Sequence, residues 1–70
     1  MAKVAAHITG TVVTIEKQPG EAVKAGETLL VLESMKMEMP LESPVSGTVK
    51  ELRCAPGQAV NEGDVLAVVE

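Results

Sequence analysis

The residues that could do chemistry lie together near the middle of the chain, in the run Glu33-Ser34-Met35-Lys36-Met37-Glu38. This run places one lysine between two methionines, with a glutamate beyond each of them. A lysine ammonium on its flexible stem becomes a nucleophile once a partner removes its proton. Lys36 is therefore the candidate for covalent chemistry, and its neighbours are candidates for recognition by a partner.

The rest of the chain offers no competing site. His7 is the only histidine and has no second ligand at metal spacing, so we expect no metal site. Cys54 is interpreted as a small hydrophobe in a strand and not as a reactive thiol. We expect no catalytic residue, because the remaining acidic side chains lie in or beside turns and are interpreted as solvated charge: Glu16, Glu21, Glu27, Glu51, Glu62 and Asp64.

Composition limits the class of protein. The chain has 70 residues and none is aromatic, which predicts a single domain, residues 1–70, with an aliphatic core. Its net charge of −4 opposes nucleic-acid binding, and no apolar run approaches the roughly 20 residues that cross a membrane. One cysteine cannot form an internal disulfide, and the N-terminal residues lack the apolar run of a secretion signal. These features favour a cytoplasmic location.

The chain is an internal repeat. Residues 8–33 align without a gap with residues 45–70 at a constant offset of 37, leaving a hairpin at 34–37 between them. The identical pairs are Gly10/Gly47, Thr11/Thr48, Val12/Val49, Pro19/Pro56, Gly20/Gly57, Ala22/Ala59, Val23/Val60, Gly26/Gly63, Leu29/Leu66, Val31/Val68 and Glu33/Glu70. Two similar halves, each too small to bury its own apolar face, are most simply packed against one another.

The sequence of each copy indicates short strands separated by tight turns. The Pro-Gly pairs indicate type II turns, and the three-residue spacing of Val12 and Ile15 indicates a bulge in the first strand. The result is an all-β, flattened β-barrel or sandwich of about eight short strands with pseudo-twofold symmetry. We expect the hairpin to carry Lys36 at its tip, on the pseudo-twofold axis and far from both chain ends.

The hairpin breaks rules of local stability. With Met35 and Lys36 as its central residues, the cross-strand pairs are Ser34/Met37, Glu33/Glu38, Leu32/Met39 and Val31/Pro40. Two-residue hairpins favour Asn-Gly, like charges across a pair are unfavourable, and methionine usually fills a core. Such conflicts favour a functional site. The alternative is a solvated turn lysine whose neighbouring methionines fold back onto the barrel.

The run Leu32-Glu33-Ser34-Met35-Lys36-Met37-Glu38 resembles a biotinyl (biotin carboxyl carrier) domain, together with the segments on either side of it: Gly10-Thr11-Val12 and Pro19-Gly20 before it, and Ser43-Pro44-Val45-Ser46-Gly47-Thr48-Val49 after it. The resemblance covers nearly the whole chain. Two departures are Ser34, where alanine is common, and Ala6-His7, near which an Ala-Pro pair is common. The protruding thumb segment that some acetyl-CoA carboxylase carriers have is absent between Thr14 and Gly26, so the chain resembles the thumbless kind. With Met1 at its start, the chain is similar to a stand-alone biotin/lipoyl attachment protein or an excised C-terminal domain.

The resemblance implies that a biotin protein ligase joins biotin to Lys36 through an amide. It also implies that the chain is a monomeric carrier and not an enzyme. Its biotin would move a carboxyl group from a biotin carboxylase to a carboxyltransferase, with an acyl-CoA or a keto acid as acceptor. Met35 and Met37 would be flanking recognition contacts, and Glu33, Ser34 and Glu38 polar recognition groups.

Two other functions remain open. A lipoyl carrier has the same fold and hairpin lysine, but it typically presents Asp-Lys-Ala, and Met35 and Met37 argue against it. An unmodified structural barrel, as in a secretion adaptor, would have long flanking helices.

Overall fold

A computed structural model describes residues 1–70 and contains eight strands and no helix. The strands are β1 (Ala2–Ala5), β2 (Gly10–Ile15), β3 (Ala22–Val23), β4 (Thr28–Ser34), β5 (Met37–Glu42), β6 (Gly47–Leu52), β7 (Ala59–Val60) and β8 (Val65–Val69). The predicted all-β class and the number of strands are confirmed. No helix has the length and hydropathy that a membrane crossing needs.

The strands form two antiparallel four-stranded sheets. One has the order β1-β8-β6-β3 and the other β5-β4-β2-β7, so each sheet takes strands from both halves of the chain. Because β3 of the first half pairs with β6, and β7 of the second half pairs with β2, the two copies are interlocked. The sheets enclose one aliphatic core, as the flattened sandwich requires.

The offset of 37 also relates the hydrogen bonds. Gly20 donates its N–H to the carbonyl of Val49 at 2.8 Å, and the equivalent Gly57 donates to Val12 at 2.7 Å. At repeat positions that are not identical, the N–H of Ala25 donates to Ser46 Oγ at 3.1 Å and that of the equivalent Glu62 donates to Thr9 Oγ1 at 3.0 Å. The pseudo-twofold symmetry is therefore a property of the backbone and of these side-chain bonds.

The repeat is longer than the sequence comparison indicated. Strands β1 and β5 are also equivalent at the same offset, although they have no residue in common. Both add an outer strand to their sheet, and both bury one apolar side chain, Val4 at 5% exposure and Leu41 at 6%. The structural copies are residues 2–33 and 39–70, because burial and pairing were retained where identity was not.

The placement of the hairpin on the pseudo-twofold axis is wrong. The pair Leu32/Met39 beside the hairpin is equivalent to the pair Val69/Ala2 at the chain ends. The twofold operation therefore exchanges the hairpin with the gap between the two termini. A residue on a twofold axis lies next to its own symmetry equivalent. The hairpin that carries Lys36 and the chain ends to which it is equivalent are instead separate parts of the molecule, so Lys36 is not on the axis.

The predicted irregularities of the strands are present. The register shifts between Val12 and Thr14 in β2 and between Val49 and Glu51 in β6, as the three-residue apolar spacing predicted. The turn glycines that follow proline have φ of +94° at Gly20 and +89° at Gly57, where a side chain would be strained. Pro40 lies inside β5, which tolerates it because β5 is an edge strand.

Candidate functional site

The hairpin between β4 and β5 is a two-residue turn made of Met35 and Lys36. Their φ values are +53° and +65°, so both central residues are in the left-handed region, as in a type I′ hairpin. For residues with a Cβ this conformation costs about 1–2 kcal/mol each. The turn matches the twist of the strands, but it holds its two side chains in a backbone geometry that glycine or asparagine would adopt more easily.

Burial at the base of the hairpin holds this turn in register. Leu30 and Leu32 in β4 are fully buried, and Leu41 in β5 is 6% exposed. A slip of one residue would move these leucines from the core to the solvent face. The observed pairs are Ser34/Met37, Glu33/Glu38, Leu32/Met39 and Val31/Pro40, as predicted. The apolar strands therefore impose a turn that its own residues do not favour.

The two methionines beside the lysine are exposed. Met35 is 92% exposed and Met37 is 64% exposed, whereas Met39, two residues further along β5, is half-buried. The alternative in which both methionines fold back onto the barrel does not hold. Two large apolar side chains thus stand in solvent on either side of one amine.

The lysine is unpaired. Lys36 is exposed and takes part in none of the three ion pairs of the chain, which join Lys17 to Glu27, Lys50 to Glu70 and Arg53 to Glu51. Its side chain also makes no hydrogen bond within the chain. The amine is therefore available to a partner without the loss of any internal contact.

The polar neighbours form the last pairs of the hairpin ladder. Glu33 and Glu38 face each other, are both exposed, and have no cationic partner within the chain. Ser34 is half-buried at the end of β4. Two carboxylates in direct opposition weaken the pairing of the strands that carry them. They give the base of the hairpin a negative charge below the lysine.

One further residue, Gly10, contacts the base of the hairpin, and the sequence identified it as a repeat position but did not predict this contact. An ideal Cβ built on Gly10 would overlap the carbonyl oxygen of Glu33 and lie 3.4 Å from Ser34 Cβ. The equivalent Gly47 has the same relation to Glu70. Gly10 and Glu33 recur as Gly47 and Glu70, but eleven positions are identical in the two copies and the repeat does not indicate which of them are in contact.

The remaining candidates lie away from the hairpin. His7 is exposed, and no group of three or more metal-ligand side chains is found in the chain. Cys54 is half-buried, with its Sγ 3.8 Å from the carbonyl of Leu66, and burial raises the pKa of its thiol.

Comparison with known proteins identifies the family of the chain. The family model described as "Biotin-requiring enzyme", the biotin/lipoyl family, matches residues 1–69. The chain belongs to this family. It is a biotin carboxyl carrier domain, and the cofactor of this family is biotin.

Relatives of known activity match only part of the chain. It is 44% identical over 41 residues to the methylmalonyl-CoA decarboxylase subunit gamma of Veillonella parvula, which covers 59% of this chain and 32% of the relative. It is 53% identical over 36 residues to the methylmalonyl-CoA carboxyltransferase 1.3S subunit of Propionibacterium freudenreichii subsp. shermanii. This match covers 51% of this chain and 29% of the relative. The chain therefore spans about a third of the length of these relatives.

Solved structures have the same fold. A single-chain, multi-domain long-chain acyl-CoA carboxylase matches with a TM-score of 0.88 and 36% identity over 94% of this chain and 7% of its own. The urea carboxylase of Kluyveromyces lactis matches with a TM-score of 0.94 and 29% identity over 99% of this chain and 6% of its own. The flattened barrel-sandwich is thus found as a small part of large carboxylases.

Proposed function

We propose that Lys36 is the biotin attachment site and that the chain moves a carboxyl group between two partner active sites. The observation that carries this proposal is a single unpaired lysine at a strained, exposed turn of a biotin-family fold. Biotin, when attached, supplies a ureido nitrogen that accepts a carboxyl group and gives it up again. The hairpin supports the proposal because it extends one amine away from the rest of the surface.

The attachment step needs only an available amine from this chain. A biotin protein ligase provides biotin as an acyl-adenylate, removes the proton of the Lys36 ammonium, and lets the free amine attack the acyl carbon. An N–C amide bond forms and adenylate leaves. Met35 and Met37 are proposed as flexible, polarizable contacts for the ligase and the carboxylase partners, with Glu33, Ser34 and Glu38 as polar contacts at the hairpin base.

The proposed partners are a biotin carboxylase and a carboxyltransferase, and the proposed acceptor is an acyl-CoA. The long-chain acyl-CoA carboxylase supports this choice, because its name gives an acyl-CoA as the molecule that is carboxylated, whereas the name of the urea carboxylase gives a different acceptor. We also propose a monomeric domain in the cytoplasm. Its one cysteine is a free thiol, its exterior carries mostly charged and polar residues, and the strongly exposed methionines other than Met1 are those of the hairpin.

Intact-mass measurement tests the attachment site. The chain is incubated with MgATP, biotin and a biotin protein ligase, and separately with lipoate and a lipoate ligase. We expect one biotin adduct on the wild-type chain, none on Lys36→Arg, and an undiminished adduct on the control Lys24→Arg, whose lysine lies beside another turn. Circular dichroism should show that both variants keep the fold. A lipoyl adduct, no adduct, or labelling of Lys36→Arg would contradict the proposal.

A further inference from the structure

The base of the hairpin that carries Lys36 packs against Gly10, a residue of another strand. Gly10 is the first residue of β2, which pairs with β4 next to the hairpin, with Thr11 opposite Glu33. A Cβ at Gly10 would overlap the carbonyl oxygen of Glu33 and lie 3.1 Å from its carbonyl carbon. Real Cβ atoms essentially never come this close to a backbone oxygen. The space beside Gly10 is thus filled by the peptide group of Glu33.

Glu33 is three residues before Lys36, and nothing flexible separates them. Ser34 ends β4, its pair with Met37 is the last of the ladder, and the two-residue turn follows at once. A displacement of the Glu33 peptide is therefore carried directly into the position of the lysine. Relief of the overlap would have to move backbone and not the far end of a side chain, and the required movement is about 1 Å.

The pseudo-twofold symmetry gives an equivalent contact between Gly47 and Glu70, at the end of the domain that does not contain Lys36. A Cβ at Gly47 would overlap the carbonyl oxygen of Glu70 and lie 3.1 Å from its carbonyl carbon. Glu70 also exchanges two hydrogen bonds with Thr48, at 2.8 and 2.9 Å. Because β8 lies in the sheet that does not contain the hairpin strands β4 and β5, a movement at Glu70 changes the end of β8 and leaves Lys36 in place. The two glycines are equivalent in packing but not in what they position.

We propose that Gly10 is a positioning residue of the carrier site, whose missing Cβ lets the carbonyl of Glu33 pack against β2 and so fixes where the hairpin presents Lys36. This inference rests on the proposed attachment of biotin to Lys36. The amine must reach the reactive acyl carbon in a defined geometry, and a 1 Å misplacement far from the chemistry can cost about 100-fold in rate. Gly10 acts through Glu33 and touches neither the amine nor biotin.

The test compares Gly10→Ala with its symmetry control, Gly47→Ala. Initial rates of biotinylation by a biotin protein ligase are measured against carrier concentration, together with the melting temperature of each variant. We expect both variants to melt at lower and similar temperatures. We also expect kcat for Gly10→Ala to fall by about 10- to 100-fold with KM changed less, and for Gly47→Ala to stay within about twofold of wild type.

Backbone amide spectra give a readout that needs no biotin. In Gly10→Ala the amide resonances of Met35 and Lys36 should shift, and in Gly47→Ala they should stay at their wild-type positions. If wild type accepts no biotin, the attachment proposal fails while these spectra still decide the position of the hairpin. If wild type is labelled and the two variants lose rate in proportion to their loss of stability, the role of Gly10 is general packing and the inference is overturned.

The remaining outcome concerns folding. If Gly10→Ala is unfolded at the assay temperature, trimethylamine N-oxide, which strengthens burial, is added to all samples equally. A Gly10→Ala chain that stays unfolded where Gly47→Ala folds would overturn the inference, because glycine would then be a requirement of the whole fold. A folded variant with a shifted hairpin and a slow ligase reaction would support it.

Discussion

Met35 and Met37 are the side chains on the hairpin that stability alone does not explain. Each leaves most of its surface in water, at 92% and 64% exposure, although burying such a side chain is worth about 1.5–3 kcal/mol. Met39 of the same strand is half-buried and shows what an ordinary methionine of this sheet does. A thioether is flexible and polarizable, so it adapts to more than one partner surface. The two exposed methionines fit a site that successive partners contact.

Replacing an exposed methionine with leucine should separate recognition from packing. Met35→Leu and Met37→Leu keep the apolar volume but lose the flexible thioether, so we expect carboxyl transfer to slow by about 2- to 10-fold. The free energy of unfolding should change by less than about 0.5 kcal/mol, because both positions are exposed. The control Met39→Leu should change stability and leave transfer nearly unaffected. Equal loss of stability in all three would indicate that the hairpin methionines are core residues.

Glu27 gives the domain a pH-dependent contribution to stability. Its carboxylate accepts a hydrogen bond from the backbone N–H of Lys24 at 3.0 Å and pairs with Lys17 Nζ at 3.2 Å. The backbone bond first, and then the Lys17 ammonium, hold the pKa of Glu27 below its ordinary value of 4.5. Since the folded-state pKa is lowered, the stabilisation is present above the ordinary value and is lost as pH falls through the lowered one.

We therefore expect Glu27→Gln to melt at a lower temperature than wild type near about pH 7, and the difference to close as the pH falls below the ordinary carboxylate range. Differential scanning calorimetry across that pH range is the measurement. Glu21→Gln is the matched control, because Glu21 is also an exposed turn glutamate but its side chain has no partner. A difference for Glu27→Gln that persists unchanged at acid pH would assign the effect to packing and not to charge.

At the scale of the elements, the pairing of β4 with β5 determines the conformation of the turn between them. The buried leucines of β4 and β5 fix the register, and the turn accepts left-handed φ at Met35 and Lys36 as a consequence. The sequence predicted this register once Met35 and Lys36 were taken as the two central residues of the turn, because the position of a two-residue turn determines which residues of its strands are paired. It also predicted the bulges of β2 and β6 from a three-residue apolar spacing, which a regular strand cannot place on one face.

Two features of the structure could not be predicted: the equivalence of strands β1 and β5, and the contact between Gly10 and Glu33. Strands β1 and β5 were not recognised as repeats of one another, because their equivalence is in pairing and in one buried side chain and not in identity. The contact of Gly10 with Glu33 is tertiary, and a glycine at the start of a strand does not reveal which backbone approaches it. The resemblance supplied the biotin, and the residues alone supplied only an unusual lysine.

Relaxing the turn should raise stability and lower function. Asparagine enters the left-handed region at low cost, so Met35→Asn should raise the free energy of unfolding by about 1 kcal/mol, measured by urea denaturation. Carboxyl transfer should slow because a partner contact is lost. Met37→Asn is the control, since Met37 lies in a strand, where asparagine is unfavourable, and it should lower stability. A destabilised Met35→Asn would show that the methionine contributes to the fold.

At the scale of the whole molecule, the two copies are interlocked, so neither can fold without the other. Each sheet contains strands from both halves, and the core is shared between them. The sequence predicted the packing of two halves, because neither could bury its own apolar face. It did not predict that the hairpin and the termini would be exchanged by the twofold, because an offset between sequences does not locate an axis in space.

That exchange gives a test of the symmetry. Met1 and Glu70 are equivalent to Glu38 and Glu33, the pair that the four residues from Ser34 to Met37 connect. The ends of β1 and β8 are already paired through Ala2 and Val69. A four-residue linker such as Ser-Asn-Gly-Thr between Glu70 and Met1 should therefore close the backbone into a circle as a second hairpin, without distortion of either sheet.

We expect the circular chain to be more stable by about 2–4 kcal/mol, because closing a loop of this length restricts the unfolded chain. Urea denaturation of the circular chain and of a linear chain that carries the same four residues at its C-terminus isolates the effect of closure. Biotinylation of Lys36 should be unchanged, since the second hairpin is equivalent to the first and distinct from it. A circular chain that is less stable than its linear control would mean that the termini do not occupy a hairpin position, and the proposed exchange of the hairpin with the chain ends would then be wrong.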